Sequence, residues 1–213
     1  MRDRDRQLLE AVERQDADRA RQLVEAGADV NAQTDDGITP LFAAACNGDA
    51  ELSAFLVGQG ADVNFNGFGE RTALMAAANQ GCLDIMRLLL DAGAEVDLAL
   101  PKSGETALHK AVIVDQRDAV KMLLAAGADV NRKTLDGGET ALFDGVARLW
   151  GETPLHFAAA YASADMVHIL LEAGADKDIP NAHGDLPRSY YSRHRQTPFW
   201  PSRQPREIGE LLQ

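Results

Sequence analysis

A five-residue motif occurs five times along this chain of 213 residues and limits what the chain can fold into. Its first copy is Gly27-Ala28-Asp29-Val30-Asn31, and closely related copies begin at Gly60, Gly93, Gly127 and Gly174. The motif glycines are therefore 33, 33, 34 and 47 residues apart. A period in this range predicts a solenoid, because each repeated unit can bury its apolar face only against its neighbours.

Each unit carries the same signals for two helices. Thr39 followed by Pro40 predicts a helix start, because the hydroxyl can accept a hydrogen bond from a free amide and proline fits the first helical position. Leu52 and Leu56, at helical spacing, predict a second helix that ends at Gly60. The same order of signals follows Thr72, Thr106 and Thr153.

These segments resemble the ankyrin-repeat family. The turn, the Thr153-Pro154-Leu155-His156 segment, the small-residue helix, the leucine-rich helix and the Gly-Ala-Asp-x-Asn motif follow the family pattern, and most of them recur in register over nearly the whole chain. The resemblance implies an all-α solenoid of stacked helix–turn–helix units with β-hairpin fingers, with about four repeats between two capping units. It also implies a non-catalytic protein–protein interaction module that acts as an adaptor, scaffold or inhibitor.

We expect a single ankyrin-repeat domain over residues 1–213. Charged outer positions in the first two helices predict an N-terminal capping unit, because no repeat stacks on that side. The last unit departs from the pattern and is predicted to be a C-terminal cap. The predicted segments are 1–35 (N-terminal cap), 36–67, 68–101 and 102–135 (repeats), 136–150 (insertion), 151–181 (repeat) and 182–213 (C-terminal cap).

The interval of 47 residues contains two competing helix starts, Thr140 and Thr153. The first is in register with the preceding repeat and the second with the following motif, as a local duplication would leave them. Three alanines follow the second start, whereas the first is followed by a glycine that costs about 1 kcal/mol within a helix. We therefore predict the in-register helix at 153–160 and a projecting excursion at about 138–150. Such insertions often carry function.

The resemblance implies that a partner contacts the fingers and the concave face of the inner helices. The positions expected to be exposed on that face are the fourth and eighth after each threonine, and an i, i+4 pair shares one helix face. The predicted protein-binding residues are Phe68, Leu100, Lys110, Val114, Phe143, Trp150, Phe157 and Tyr161. We expect Phe143, Trp150, Phe157 and Tyr161 to form the core of the site. The alternative is that Trp150 folds back on Phe157 or Tyr161 and anchors the insertion.

The histidines do not form a recognisable catalytic or metal-binding pattern. His109 and His156 occupy the histidine of the Thr-x-Leu-His segment, for which the resemblance implies a structural hydrogen bond between neighbouring turns. The other histidines have no cysteine or carboxylate at metal-ligand spacing, and the sequence contains neither a nucleophile elbow nor a phosphate-binding loop. We therefore predict no catalytic residues, no metal and no cofactor. A small-molecule or enzymatic role built on the insertion and a scaffold that forms homo-oligomers remain alternatives.

Charge narrows the class of partner. The net charge is −12, with −15 over residues 1–185 and +3 from Leu186 onward. An acidic chain of this kind is a poor general nucleic-acid binder and favours a neutral or basic protein partner. We expect a monomer when no partner is bound.

The sequence contains neither a signal peptide nor an apolar run of membrane-spanning length, so we expect no membrane partner and a cytoplasmic location. Cys46 and Cys82 fit packed positions in a reducing compartment better than a disulfide framework. Arginine outnumbers lysine by 16 to 5, which indicates a GC-rich, bacterial genome. In that setting a host-directed effector is a further alternative.

Overall fold

The computed structural model describes residues 1–67, 71–142, 145–193 and 205–213, with the backbone alone at 139–142, 145–148, 191–193 and 205. The chain divides into two compact units, Met1–Val96 and Asp97–Gln213. Regular secondary structure in the described residues consists of helices, apart from one two-stranded sheet. This all-α architecture agrees with the predicted fold class.

The first unit consists of three helical hairpins. Its helices are α1 (Asp3–Glu13), α2 (Ala17–Glu25), α3 (Pro40–Asn47), α4 (Ala50–Gly58), α5 (Ala73–Gln80) and α6 (Leu83–Asp91). The inner helices α1, α3 and α5 pack in sequence order, as do α2, α4 and α6. Ala44, Ala45, Ala77 and Ala78 are fully buried. These small side chains let neighbouring inner helices approach closely, which explains the alanine-rich segments.

The second unit repeats this packing around a hairpin of strands. Its elements are α7 (Ala107–Ile113), α8 (Arg117–Ala125), β1 (Asp136–Leu142), β2 (Gly145–Trp150), α9 (Pro154–Tyr161), α10 (Ala164–Glu172), α11 (Pro187–Arg193) and α12 (Pro205–Leu211). Helix α9 packs against α7 and α11, and α10 packs against α8 and α12. Ile208 and Leu212 are each 1% exposed, so the end of the chain buries apolar side chains.

Strands β1 and β2 lie where the sequence predicts an excursion. They pair antiparallel, with Asp136 opposite Trp150 and Leu142 opposite Gly145, and the register is irregular between Asp136 and Glu139. Helix α9 follows at once, with Thr153 as its N-cap. The prediction that the second of the two competing starts forms the helix is therefore confirmed.

The last residue of the recurring motif joins one repeat to the next. The Asn31 side chain donates to the carbonyl of Gly60 at 3.2 Å and accepts the amide of Asp62 at 2.8 Å. Asn64 and Asn131 make the same two bonds to the motifs that follow them. At Asp97 the carboxylate accepts the amide of Asp129 but has no proton to donate to the next motif carbonyl.

Asp97→Asn is expected to raise the free energy of unfolding by about 1 kcal/mol, because the amide group supplies the missing donor. The substitution also removes a negative charge beside Asp129. Urea unfolding followed by circular dichroism measures the change. The reverse substitution at the matched position, Asn131→Asp, should lower stability, and an Asp97→Asn variant no more stable than the parent would contradict the assigned bond.

Candidate functional site

Two hydrogen bonds between Thr134 and Glu152 close the base of the finger that carries β1 and β2. A finger of the first unit shows the ordinary form of this closure. In the first unit, the Thr34 amide donates to the Ile38 carbonyl and the Thr34 hydroxyl accepts the Ile38 amide, both at 3.0 Å. Thr134 makes the same two bonds to Glu152, both at 2.9 Å, across 18 residues instead of four. The hairpin is thus an expansion of one finger whose base keeps the ordinary geometry.

The Glu152 carboxylate lies at this base and is 4% exposed. Its Oε2 atom accepts the Trp150 amide at 2.6 Å and the Thr134 hydroxyl at 3.2 Å. Its Oε1 atom accepts the hydroxyl of Tyr190 at 2.7 Å, and Asn181 donates to that hydroxyl at 2.8 Å. Burial and the bond to Glu152 raise the pKa of Tyr190. A buried carboxylate needs such donors, since an unpaired one is costly.

Trp150 is half-buried at the end of β2 and lies against residues 182–213, the predicted C-terminal cap (hereafter the C-terminal cap). Its ring centroid is 4.3 Å from that of His183, and its carbonyl accepts the Ala182 amide at 2.6 Å. These contacts favour the anchoring role for Trp150 that the sequence left open. Its ring neighbour is His183, whereas the sequence had suggested Phe157 or Tyr161.

A second buried carboxylate, that of Glu105, lies at the start of α7 and has different hydrogen-bond donors. The Oε2 atom of Glu105 accepts the Ser103 hydroxyl at 2.9 Å and the Lys110 ammonium at 2.7 Å. Its Oε1 atom is buried and has no hydrogen-bond partner in the described part of the chain. Lys110, a predicted binding residue, is thus an ion-pair partner with 15% of its side chain exposed.

His109 and His156 each bond to the start of their own helix. The predicted bond between neighbouring turns is found for His156, whereas the Nε2 atom of His109 has no hydrogen-bond partner among the described residues. In each, Nδ1 accepts the amide of the N-cap residue, Thr106 or Thr153, at 3.1 Å, so Nε2 carries the proton of the neutral ring. The Nε2 atom of His156 bonds to the Asp185 carbonyl at 3.1 Å, which joins neighbouring turns. Burial lowers the pKa of His156, and lowers that of His109 to about 4.

Two predicted binding residues, Phe157 and Leu100, are buried. Phe157 is 3% exposed because its ring lies between those of His109, at 5.6 Å, and Tyr161, at 6.4 Å. Leu100 is 7% exposed, and its backbone closes a turn with Gly104 and Glu105. The expected exposure of Phe157 is therefore wrong, and whether Phe157 or Leu100 contacts a partner stays a prediction.

The eighth residue after each helix-start threonine keeps part of its surface exposed. In the first unit these are Asn47 and Gln80, whose side-chain amides bond back to the carbonyls of Val12 and Cys46. In the second unit they are the half-buried Val114 and Tyr161. The fourth-position residues Ala43 and Ala76 are buried, like Phe157, because a helical side chain leans toward the preceding turn. Phe68 and Phe143 lie outside the described residues.

In the C-terminal cap, the ring of Tyr190 occupies the position that the ring of Phe157 occupies in the preceding repeat. Each ring meets a helix-start histidine edge to face: Phe157 against His109 at 89° and Tyr190 against His156 at 81°. The hydroxyl of Tyr190 donates a hydrogen bond to the Glu152 carboxylate. Phe157 has no hydroxyl that could donate to the equivalent carboxylate, Glu105.

Phe157→Tyr is therefore expected to raise the free energy of unfolding by about 1 kcal/mol, because the added hydroxyl can donate to the buried Oε1 atom of Glu105. Denaturant unfolding measures the change. Adding Glu105→Gln should remove most of the gain. A Phe157→Tyr variant less stable than the parent would show that the hydroxyl does not reach the carboxylate.

Three residues of the candidate site were not predicted from the sequence: Glu152, Tyr190 and Leu135. Glu152 directly precedes a helix-start threonine, as Glu105 does, and this shared position was the available signal. Tyr190 stands four residues after Leu186, the same distance as Phe157 from its threonine, and aligning the cap with the repeats would have shown this. Leu135, beside the base of the hairpin, is 46% exposed.

Neither a metal site nor a membrane-crossing helix emerges from the described residues. They contain no group of three or more His, Cys, Asp or Glu side chains placed to hold a metal ion. None of their helices combines the length and apolar character that crossing a bilayer requires.

Stacked helical hairpins with threonine-capped inner helices and side-chain bonds between successive motifs define a helical repeat protein. Family models described as ankyrin repeats (3 copies) match residues 8–99 and 55–134, and one described as ankyrin repeats (many copies) matches residues 145–190. The chain belongs to the ankyrin-repeat family, whose members are in general protein–protein interaction modules and typically non-catalytic.

Solved structures agree with this assignment. The human ASB11 ankyrin repeat domain is 28% identical, with a TM-score of 0.75, and the match covers 96% of this chain and 80% of that one. A chain from the complex of the predatory endopeptidase Bd0816 of Bdellovibrio bacteriovorus with the immunity protein Bd3460 is 25% identical, with a TM-score of 0.77. That match covers 97% of this chain and 96% of the other. A comparison with curated proteins found no matching sequence.

Proposed function

We propose that this chain is a non-catalytic recognition module that binds another protein beside the hairpin of its second unit. The observation that carries the proposal is the expanded finger, closed by Thr134 and Glu152, in an otherwise regular repeat. Around its base lie the exposed Leu135 and the half-buried Trp150, and the inner helices add the half-buried Val114 and Tyr161. Aromatic residues of this kind are enriched at binding hot spots.

The partner we propose is a protein with a neutral or basic surface. The net charge of −12 disfavours acidic partners and nucleic acid, and it accelerates the encounter with a basic one. Because such steering depends on ionic strength, the association rate should fall as salt is added.

Affinity capture from cell lysate with mass spectrometry tests the proposed surface. Combining Trp150→Ala with Tyr161→Ala should remove the specifically captured protein, provided circular dichroism shows that the helices are intact. Lys121→Ala, on the outer helix α8, is the matched control because its side chain is 62% exposed and its ion pair with Asp118 is exposed. If the double variant captures as much partner as the control, the hairpin surface is rejected.

A narrower candidate is an inhibitor of a peptidase. One chain from the complex of an endopeptidase with an immunity protein matches this chain over nearly the full length of both, which supports this candidate. The captured partner should then be a hydrolase whose peptide cleavage falls when one equivalent of this chain is added. A partner without hydrolase activity would reject the inhibitor and leave the recognition module standing.

A further inference from the structure

Donors from three segments of the chain meet on the single carboxylate of Glu152. The finger contributes the Thr134 hydroxyl, the hairpin contributes the Trp150 amide, and the C-terminal cap contributes the Tyr190 hydroxyl. The side chain is 4% exposed, so water competes little for these bonds. Losing one donor would leave part of this buried carboxylate unpaired and let its side chain shift, which would weaken the bonds to the other two donors.

This connection is specific to the finger that carries the hairpin. At the base of the first unit's finger, the residue equivalent to Glu152 is Ile38, whose side chain cannot hydrogen-bond. The equivalent carboxylate in the preceding repeat, Glu105, is held locally by Ser103 and Lys110. Only at Glu152, among the described residues, does a finger carboxylate bond to both a hairpin strand and the C-terminal cap.

We propose that the C-terminal cap fixes the orientation of the hairpin through Glu152, which makes Glu152 and Tyr190 positioning residues for partner recognition. Two further contacts join the same segments: the Ala182 amide to the Trp150 carbonyl, and the Trp150 ring to His183. A hairpin held in one orientation loses less conformational entropy on binding, and this preorganisation raises affinity. The functional consequence rests on the proposed role of the hairpin, whereas the structural coupling does not.

Amide hydrogen exchange measured by NMR tests the coupling without a partner. Tyr190→Phe deletes one hydroxyl and should accelerate exchange at the amides of Trp150 and Ala182 by about tenfold. Ser53→Ala is the matched control: it also deletes one hydroxyl, which belongs to a buried side chain of the first unit and bonds to the Asp49 carbonyl at 2.7 Å. It should leave both amides unchanged. Equal exchange in Tyr190→Phe and in the control overturns the proposal.

The unsubstituted protein supplies a second test should Tyr190→Phe fold poorly. In low concentrations of urea, the strand amides of β2 and the Ala182 amide should open with one free energy and one urea dependence, because coupled segments open as one cooperative unit. Strand amides that open well before Ala182 would overturn the proposal.

Partner capture separates this inference from the proposed function. Faster exchange in Tyr190→Phe together with reduced capture supports both. Faster exchange with undiminished capture retains the coupling and rejects the hairpin as the binding element. Unchanged exchange rejects the coupling whatever the capture shows.

Discussion

Glu152→Ala is expected to lower the free energy of unfolding by about 3 kcal/mol. The substitution deletes an acceptor that serves the Thr134 hydroxyl, the Trp150 amide and the Tyr190 hydroxyl, in a site that is 4% exposed. The cavity it leaves adds to the cost of the unpaired donors. Urea unfolding followed by circular dichroism measures the loss.

Glu152→Gln separates loss of the charge from loss of the hydrogen bonds. The glutamine carbonyl can still accept from the Trp150 amide, and its NH₂ group can donate to the Tyr190 hydroxyl, which is able to accept as well as donate. We therefore expect a loss of about 1 kcal/mol, well below that of alanine. If glutamine costs as much as alanine, the negative charge matters more than the geometry of the bonds. If neither variant loses stability, the network does not stabilise the fold.

The local signals of the fold could be predicted from the sequence because they depend on residues close together in the chain. Thr39 and Thr153 mark helix starts through hydrogen bonds to amides within their own first turn. Gly145 and the alanines of α9 also decide correctly between the two competing starts, because helix propensity and close packing favour the same segment. The projecting excursion at about 138–150 could then be predicted as well, because residues that do not fit the repeat must leave the stack of helices and return to it.

The Glu152 network could not be predicted in this way. Its bonds span two, 18 and 38 residues, and the longest reaches a cap whose register the irregular sequence obscures. The burial of Phe157 has a similar cause, because it depends on a ring from the preceding repeat. The exposure of a side chain in one repeat thus depends on side chains of the adjacent repeats. The spacing of apolar residues within a single repeat cannot predict it.

Acidification is expected to destabilise the protein through His109. Burial lowers the pKa of this ring from 6.5 to about 4, so the folded state keeps it neutral while the unfolded state takes up a proton below pH 6.5. The unfolded state then binds more protons, and the free energy of unfolding falls as the pH drops from 6.5 to about 4. The loss from His109 alone is on the order of 3 kcal/mol, and the lowered pKa of His156 acts in the same direction.

Denaturant unfolding across this pH range, with two variants, isolates the contribution of His109. His109→Gln has no ring to titrate, so its stability should depend less on pH between 6.5 and 4 even if it is lower at neutral pH. His168→Gln is the matched control, because 61% of the His168 side chain is exposed. The control should keep the pH dependence of the parent. If His109→Gln loses as much stability as the parent on acidification, then His109 is not the group whose protonation opposes folding, and its burial beside Phe157 does not keep it neutral.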